Sequence, residues 1–267
     1  VHTEFIARGG DRLGIYYCEG GASQRPSKVI YDRANSSISR VGPGEFDWDA
    51  ILSGASWFHF TGITPALGDG PAAATLEAVK AAKRLGVKVS ADLNYRKKLW
   101  SPEKANAVMS GLMEYVDVAI GNEEDAEKVF GIKAGASDVT KGELSHEGYR
   151  EVAKELVQRF GFEKVAITLR ESLSASDNNW SGMLYDGAEF YVSRKYNVHI
   201  VDRVGGGDSF AGALIYALLE EMSGQQAVEF AAAASCLKHS IVGDFNMVGV
   251  SEVRTLAGGD ASGRVQR

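Results

Sequence analysis

The chain has 267 residues, 45% of them hydrophobic and 24% charged, with a formal net charge of -6. That is globular composition with room for one large domain, and its acidic balance argues against a nucleic-acid partner. Two cysteines, Cys18 and Cys236, exclude a disulfide framework and fit a cytoplasmic protein; no apolar run is long enough for a membrane partner, and the charged opening residues lack a secretory core.

Residues 12–40 hold two short strand-like runs around a Gly/Ser/Pro-rich link. They read as a small antiparallel β lid, set apart from a core formed by 1–11 and 41–267. From about Trp57 onward, apolar strand runs alternate with helical periodicity. "SWFHFTGI" precedes "GPAAATLEAVKAAKRLG", "VKVSADLN" precedes "SPEKANAVMSGLMEYV", and "DVAIGN" precedes "EEDAEKVFG". The helix "SHEGYREVAKELVQRFG" leads into "KVAITLR". Gly86, Gly131 and Gly161 are stop signals, while Ser101-Pro102 and Ser145-x-Glu147 are start signals. "SGMLYDGAEFYVSRKY" predicts a hairpin turning at Asp186-Gly187. The alternation predicts an α/β fold with a doubly wound, mostly parallel sheet flanked by helices. Ligands in such sheets bind beyond the carboxyl ends of the strands, here Thr61-Gly62, Asp92 to Arg96, Asn122 to Asp125, and Arg170 onward.

The most informative stretch is "DRVGGGDSFAGALIYALL". A helix start offers unpaired N–H groups and the positive end of the helix dipole, and glycines let an anion reach that backbone. Gly205, Gly206 and Gly207 therefore suit an anion hole. Asp208 beside it would repel a resting phosphate, so its carboxylate needs another purpose. Accepting the proton of a hydroxyl that attacks phosphorus is one. The competing reading is a plain Gly-rich loop in which Asp208 is an ordinary N-cap. Neither GxxxxGK[ST] nor GxGxxG is present.

The same stretch resembles the D-T-x-G-A-G-D-x-F signature of the ribokinase-like (PfkB) carbohydrate kinases, with Arg203-Val204 and Gly206 as mild departures. "LGIYYCEGG", "VIYDRANSS", "DLNYRKKLW", "FTGITPAL" and "VGDFN" are similar to the 2-keto-3-deoxygluconate kinases among them. The resemblance implies a ribokinase-like fold, ATP and Mg2+ as cofactors, and phosphorylation of 2-keto-3-deoxygluconate. It makes Asp208 the catalytic base and Gly205 to Gly207 the groups that stabilise the moving phosphoryl. Asn94, Asn122, Thr168, Arg170, Ser172, Gly205 and Gly207 would border the nucleotide. "NEED" resembles the family's N-x-x-E element, so Glu123, Glu124 or Asp125 would support the metal indirectly, with Asp125 where the family has glutamate. Tyr16, Tyr31, Arg33, Arg96, Asp208 and Asp244 would contact the sugar. The family opens with a strand, a Gly-Gly…Asn element and a helix that do not precede Val1 here, so the N-terminal part of the core is expected to be missing. A homo-oligomer joined through the lid is also expected.

The residues carry their own hint of the substrate. Val29, Tyr31 and Arg33 share a strand face, and two arginines, Arg33 and Arg96, suit an acid sugar. Against this, Arg33 is equally free to pair with Asp32 or Glu19 at the surface. Fructose or 5-keto-2-deoxygluconate as substrate, and a truncated, non-catalytic nucleotide-binding module, are the alternatives. The five histidines show no ligand spacing, and His59 is expected to be a satisfied buried group. The small residues of "EFAAAASCL" fit either close helix packing or a pocket for a nucleotide ring.

Overall fold

The computed structural model describes residues 2–122, 124–133 and 146–263. Glu123 and the predicted helix start at Ser145 lie outside the described residues. The chain divides into two compact units: Val1–Cys18, Val29–Ala134 and Lys154–Val165 form the first, and Glu19–Lys28, Gly135–Ala153 and Ala166–Arg267 the second.

β1 (Ile15–Glu19) and β2 (Lys28–Asp32), which belong to the first unit except for Glu19 and Lys28, pair as a two-stranded sheet. A short helix α1 (Trp48–Leu52), capped by Asp47, leads to β3 (Trp57–Thr61). Then come α2 (Ile63–Ala66), α3 (Asp69–Arg84), β4 (Lys88–Asp92), α4 (Pro102–Met113), β5 (Val118–Asn122) and α5 (Asp125–Phe130). The strands β3, β4 and β5 are parallel neighbours in that order, with Trp57 opposite Lys88 and Ser90 opposite Val118. The predicted signals act as expected. Ser101 caps α4 by accepting from the Lys104 N–H, with Pro102 in its first turn. Gly86, Gly131 and Gly161 each take a left-handed φ of 72–75° at a helix end. The interior is packed from Ala78, Val79 and Ala82 of α3, Val89 and Ala91 of β4, and Met109 and Met113 of α4.

α6 (His146–Phe160) and β6 (Lys164–Ser172) run across the division of the chain. The second unit continues with β7 (Asp177–Tyr185), β8 (Phe190–Val192), β9 (Tyr196–His199), α7 (Gly206–Leu219), α8 (Gly224–Lys238) and α9 (Val250–Ala257). Here the pairing is antiparallel: β7 faces β8 on one side and β9 on the other. The hairpin turn falls at Asp186-Gly187, where the Asp186 carboxylate accepts the N–H groups of Ala188 and Glu189. The parallel β3, β4 and β5 thus belong to the first unit and the antiparallel β7, β8 and β9 to the second, while β6, also foreseen from the sequence, spans the division. α8 starts at a capping box made by Ser223 and Gln226. Its Ala231, Ala232 and Ala233 are fully buried, as are Phe210 and Leu214 of α7.

Two expectations change. β6 does not end at Arg170 but runs on to Ser172 and returns through a tight turn at 173–176, where the Leu173 and Ser174 N–H groups donate to the Asp177 carbonyl. His59 is exposed rather than buried, because among the described residues β3 pairs on one side only, with β4; its Nδ1 lies 2.7 Å from the Ser90 hydroxyl.

Candidate active site

In the second unit, α7 begins without a side-chain cap. Its N-cap is Gly205 in a left-handed conformation, φ 80°. A left-handed cap is cheap only for glycine, and the Asp244 carbonyl packs where a Gly205 side chain would stand. Gly206 and Gly207 open the helix and Asp208 is its third residue. Asp208 is therefore not the N-cap but an acidic residue of the first turn. It is exposed, and it lines a cavity of about 620 Å3 together with Gly205, Tyr216, Phe230, Asn246 and Val253. The Gly206 N–H donates to the Arg203 carbonyl at 3.3 Å, and the dipole of α7 favours an anion at its start, at one end of this cavity. The aromatic and aliphatic walls suit a flat ring. Phe230 and Ala234 of "EFAAAASCL" line the cavity while Ala231 to Ala233 pack, so both readings of that run hold.

The start of α7 rests on the end of α8. The Ser235 hydroxyl donates to the Gly206 carbonyl at 2.7 Å. The His239 carbonyl accepts the N–H groups of Val201 and Asp202. The His239 ring lies 2.7 Å from the Ser235 carbonyl through Nδ1; a carbonyl only accepts, so Nδ1 carries the proton. The ring tilts against Trp180 with centroids 5.1 Å apart. Burial pulls His239 below the ordinary histidine range, and the charges of Lys238, Arg203 and Arg170 add to this. A second tie runs through Asp202, whose carboxylate accepts the N–H of Val204 and that of Gly243, each at 3.0 Å. Thr168, Arg170 and Ser172 alternate along β6 and so share one face. The charge of Arg170 is felt at His239.

The two-stranded sheet brings Tyr31 and Arg33 together, as their shared strand face predicts. Tyr16 and Tyr31 lie 6.5 Å apart, and the Arg33 guanidinium sits 3.9 Å above the Tyr31 ring. Asp32 is taken by Arg12 and Glu19 by Arg25, so neither carboxylate holds Arg33. Lys98, overlooked in the sequence, brings its ammonium to 5.9 Å from the same ring. Past the end of β4, Asn94 adopts a left-handed φ of 42°, which is uncommon for a non-glycine residue. Its side-chain amide donates to the Thr61 hydroxyl at 3.0 Å. The Arg96 guanidinium donates to the Tyr95 carbonyl at 2.9 Å. At the end of β5, the Asn122 side-chain oxygen accepts the N–H groups of Glu124 and Asp125, making a turn that starts α5. Glu124 is exposed; Asp125 is 3% exposed. Burial pushes the Asp125 carboxyl up from its ordinary value, against two backbone N–H bonds and the nearby Arg96 charge. Among the described residues, no three His, Cys, Asp or Glu side chains cluster to hold a metal, and no helix is long and apolar enough to cross a membrane.

The sequence matches the family model for pfkB family carbohydrate kinases over residues 1–245. It is 34% identical over 251 residues to the 2-dehydro-3-deoxygalactonokinase of Haloferax volcanii, covering 94% of this chain and 72% of that one. It is 31% identical to the 2-dehydro-3-deoxygluconokinase of Thermoproteus tenax, covering 82% of this chain and 59% of that one. Among solved structures, the 2-dehydro-3-deoxygluconokinase of Thermotoga maritima superposes with a TM-score of 0.92 at 53% identity, over 97% of this chain and 77% of that one. The fold is therefore ribokinase-like, and the chain belongs to the pfkB family of carbohydrate kinases.

Proposed function

We propose that this kinase transfers the terminal phosphoryl group of ATP to a hydroxyl of 2-keto-3-deoxygluconate. The observation that carries the reading is Asp208 standing at an uncapped, glycine-built helix start on the wall of the 620 Å3 cavity. An exposed carboxylate there accepts the proton of the attacking hydroxyl, while the amides of Gly205 to Gly207 hold the charge of the group in flight. Phosphoryl transfer asks little more of a protein than positioning and charge neutralisation. Tyr216, Phe230 and Val253 give the cavity a wall for the base, and Thr168, Arg170, Ser172, Asn94 and Asn122 are the nucleotide's polar contacts in this reading. Magnesium neutralises phosphate charge when bound; the exposed Glu124 fits that support better than Asp125, whose two oxygens are already taken by backbone amides.

The acid half of the sugar is read by Arg33 and Arg96, and Tyr16 and Tyr31 supply hydroxyls and flat faces. Asp244 contacts the sugar hydroxyls. The 53% identity to a 2-dehydro-3-deoxygluconokinase supports the gluco substrate, whereas the relative at 34% is named for the galacto compound, its epimer. Coupled ADP-release assays on both epimers, 5-keto-2-deoxygluconate and fructose decide. The gluco acid is expected to show the highest kcat/KM; equal or better turnover of neutral fructose rejects the arginine reading, and no turnover of any sugar supports a nucleotide-binding module.

The lid surface also supports pairing with a second copy of the chain: Ile15, Tyr17 and Ile30 of the two-stranded sheet are exposed apolar residues. Light scattering of the wild type and Ile30→Lys tests it, the variant being expected to dissociate. Cytoplasmic location remains part of this reading, supported by two free cysteines.

A further inference from the structure

The turn after β4 carries Arg96, and it is an unrelaxed piece of backbone. Asn94 holds a left-handed φ of 42° there. Such residues persist only where their surroundings over-determine them. Three bonds do so. The Leu93 N–H donates to the Ile120 carbonyl at 2.8 Å, and the Asn94 amide donates to the Thr61 hydroxyl. The third is the least expected: the Tyr95 N–H, adjoining Arg96, donates at 3.0 Å to one oxygen of Asp125. The other Asp125 oxygen accepts the Asn122 N–H, also at 3.0 Å. One buried carboxylate thus fastens the turn after β4 to the end of β5, and its reach is set by its length. The carboxylate is spent on two backbone donors rather than turned outward.

We infer that Asp125 is a positioning residue for the sugar: it acts through the Tyr95 amide to hold the turn from which Arg96 meets the substrate's acid group, and it does not serve the metal. This rests on the proposed reading of Arg96 as a substrate contact. The short side chain is part of the device. A glutamate would carry its carboxyl one methylene farther from the same backbone.

The test compares Asp125→Asn, Asp125→Glu and Thr61→Val in the full chain, with 2-keto-3-deoxygluconate, ATP and Mg2+ varied separately. In Asp125→Asn the sugar KM is expected to rise roughly tenfold, the scale of one lost charge-assisted hydrogen bond. The ATP KM and the Mg2+ half-saturation should stay within about threefold of wild type. Asp125→Glu should fail to restore the sugar KM, and Thr61→Val, which removes the other side-chain tie, should raise it in the same direction by less. A shifted Mg2+ requirement with an unchanged sugar KM, or full function in Asp125→Glu, overturns the inference in favour of metal support. Hydrogen exchange gives a readout independent of activity: the Tyr95 amide should be protected in wild type and lose protection in Asp125→Asn. An unprotected wild-type amide overturns the clamp itself. A protected amide that is lost in the variant, in a wild type that prefers neutral sugars, keeps the clamp and rejects only the role of Arg96.

Discussion

The imidazole of His239 occupies the space that any side chain on Gly206 would need: a Cβ built there would lie 2.7 Å from His239 Cε1 and 2.9 Å from Nε2. The middle glycine of the α7 start is thus required by what lies beneath it. Gly206 is the first residue of α7, where alanine would gain less helix propensity than in a helix interior. The clash acts against that gain, and forcing extra atoms into a packed floor costs roughly 1–3 kcal/mol.

Gly206→Ala should therefore lower the melting temperature and cut kcat/KM at least roughly tenfold, because relief of the clash displaces the amides. Combining it with His239→Ala makes room for the methyl group. Thermal unfolding of the two single variants and the double should then show less destabilisation than the sum of the singles, as expected for residues in contact. Strict additivity would reject the contact.

Asp208→Asn retains the size of the side chain and removes the proton acceptor. Turnover should fall by at least roughly a hundredfold, the scale of a general base, with nucleotide affinity nearly unchanged. Stopped-assay rates and calorimetric titration with an ATP analogue separate the two effects, and near-normal turnover would dismiss Asp208 as the base.

The α7 motif shows how much was legible beforehand. Three glycines before a helical run mark a helix start, and α7 begins there, because the signal is local. The caps at Ser101 and Gly131 and the turn at Asp186-Gly187 are legible for the same reason. Lys98, His239, Tyr216 and Asn246 were not. Each acquires its role from a neighbour distant in the chain, and a lysine beside an arginine or a histidine at a helix end has no periodicity to mark it. The exposure of His59 was hidden too, since an alternating strand reads alike at the edge of a sheet and inside one.

Protonation of His239 should weaken the fold in acid. Its folded pKa is depressed, chiefly by burial, so below the ordinary value of about 6.5 the unfolded chain takes up a proton that the folded one resists. Stability is therefore lost as pH falls through that range, by up to about 1.4 kcal/mol per pH unit. His239→Gln keeps a neutral hydrogen-bonding group. Its melting temperature should fall less than that of the wild type between pH 7.5 and 5.5, as followed by circular dichroism; parallel falls would assign the acid sensitivity to other groups.

If Arg33 reads the acid group as proposed, Arg33→Ala should raise the KM for an acid sugar roughly tenfold or more while leaving the ATP KM within about threefold. Initial rates with each substrate varied in turn provide the comparison, and equal losses would place Arg33 outside sugar recognition.

Asp202 joins the N–H of Val204 to that of Gly243, and the Asp244 carbonyl nestles against the bare α-carbon of Gly205. Two loops 40 residues apart in sequence are thereby welded into a single piece of machinery. Phe245 and Asn246 at one end of the cavity are thus tied to the head of α7 at the other by a single carboxylate and one close backbone contact.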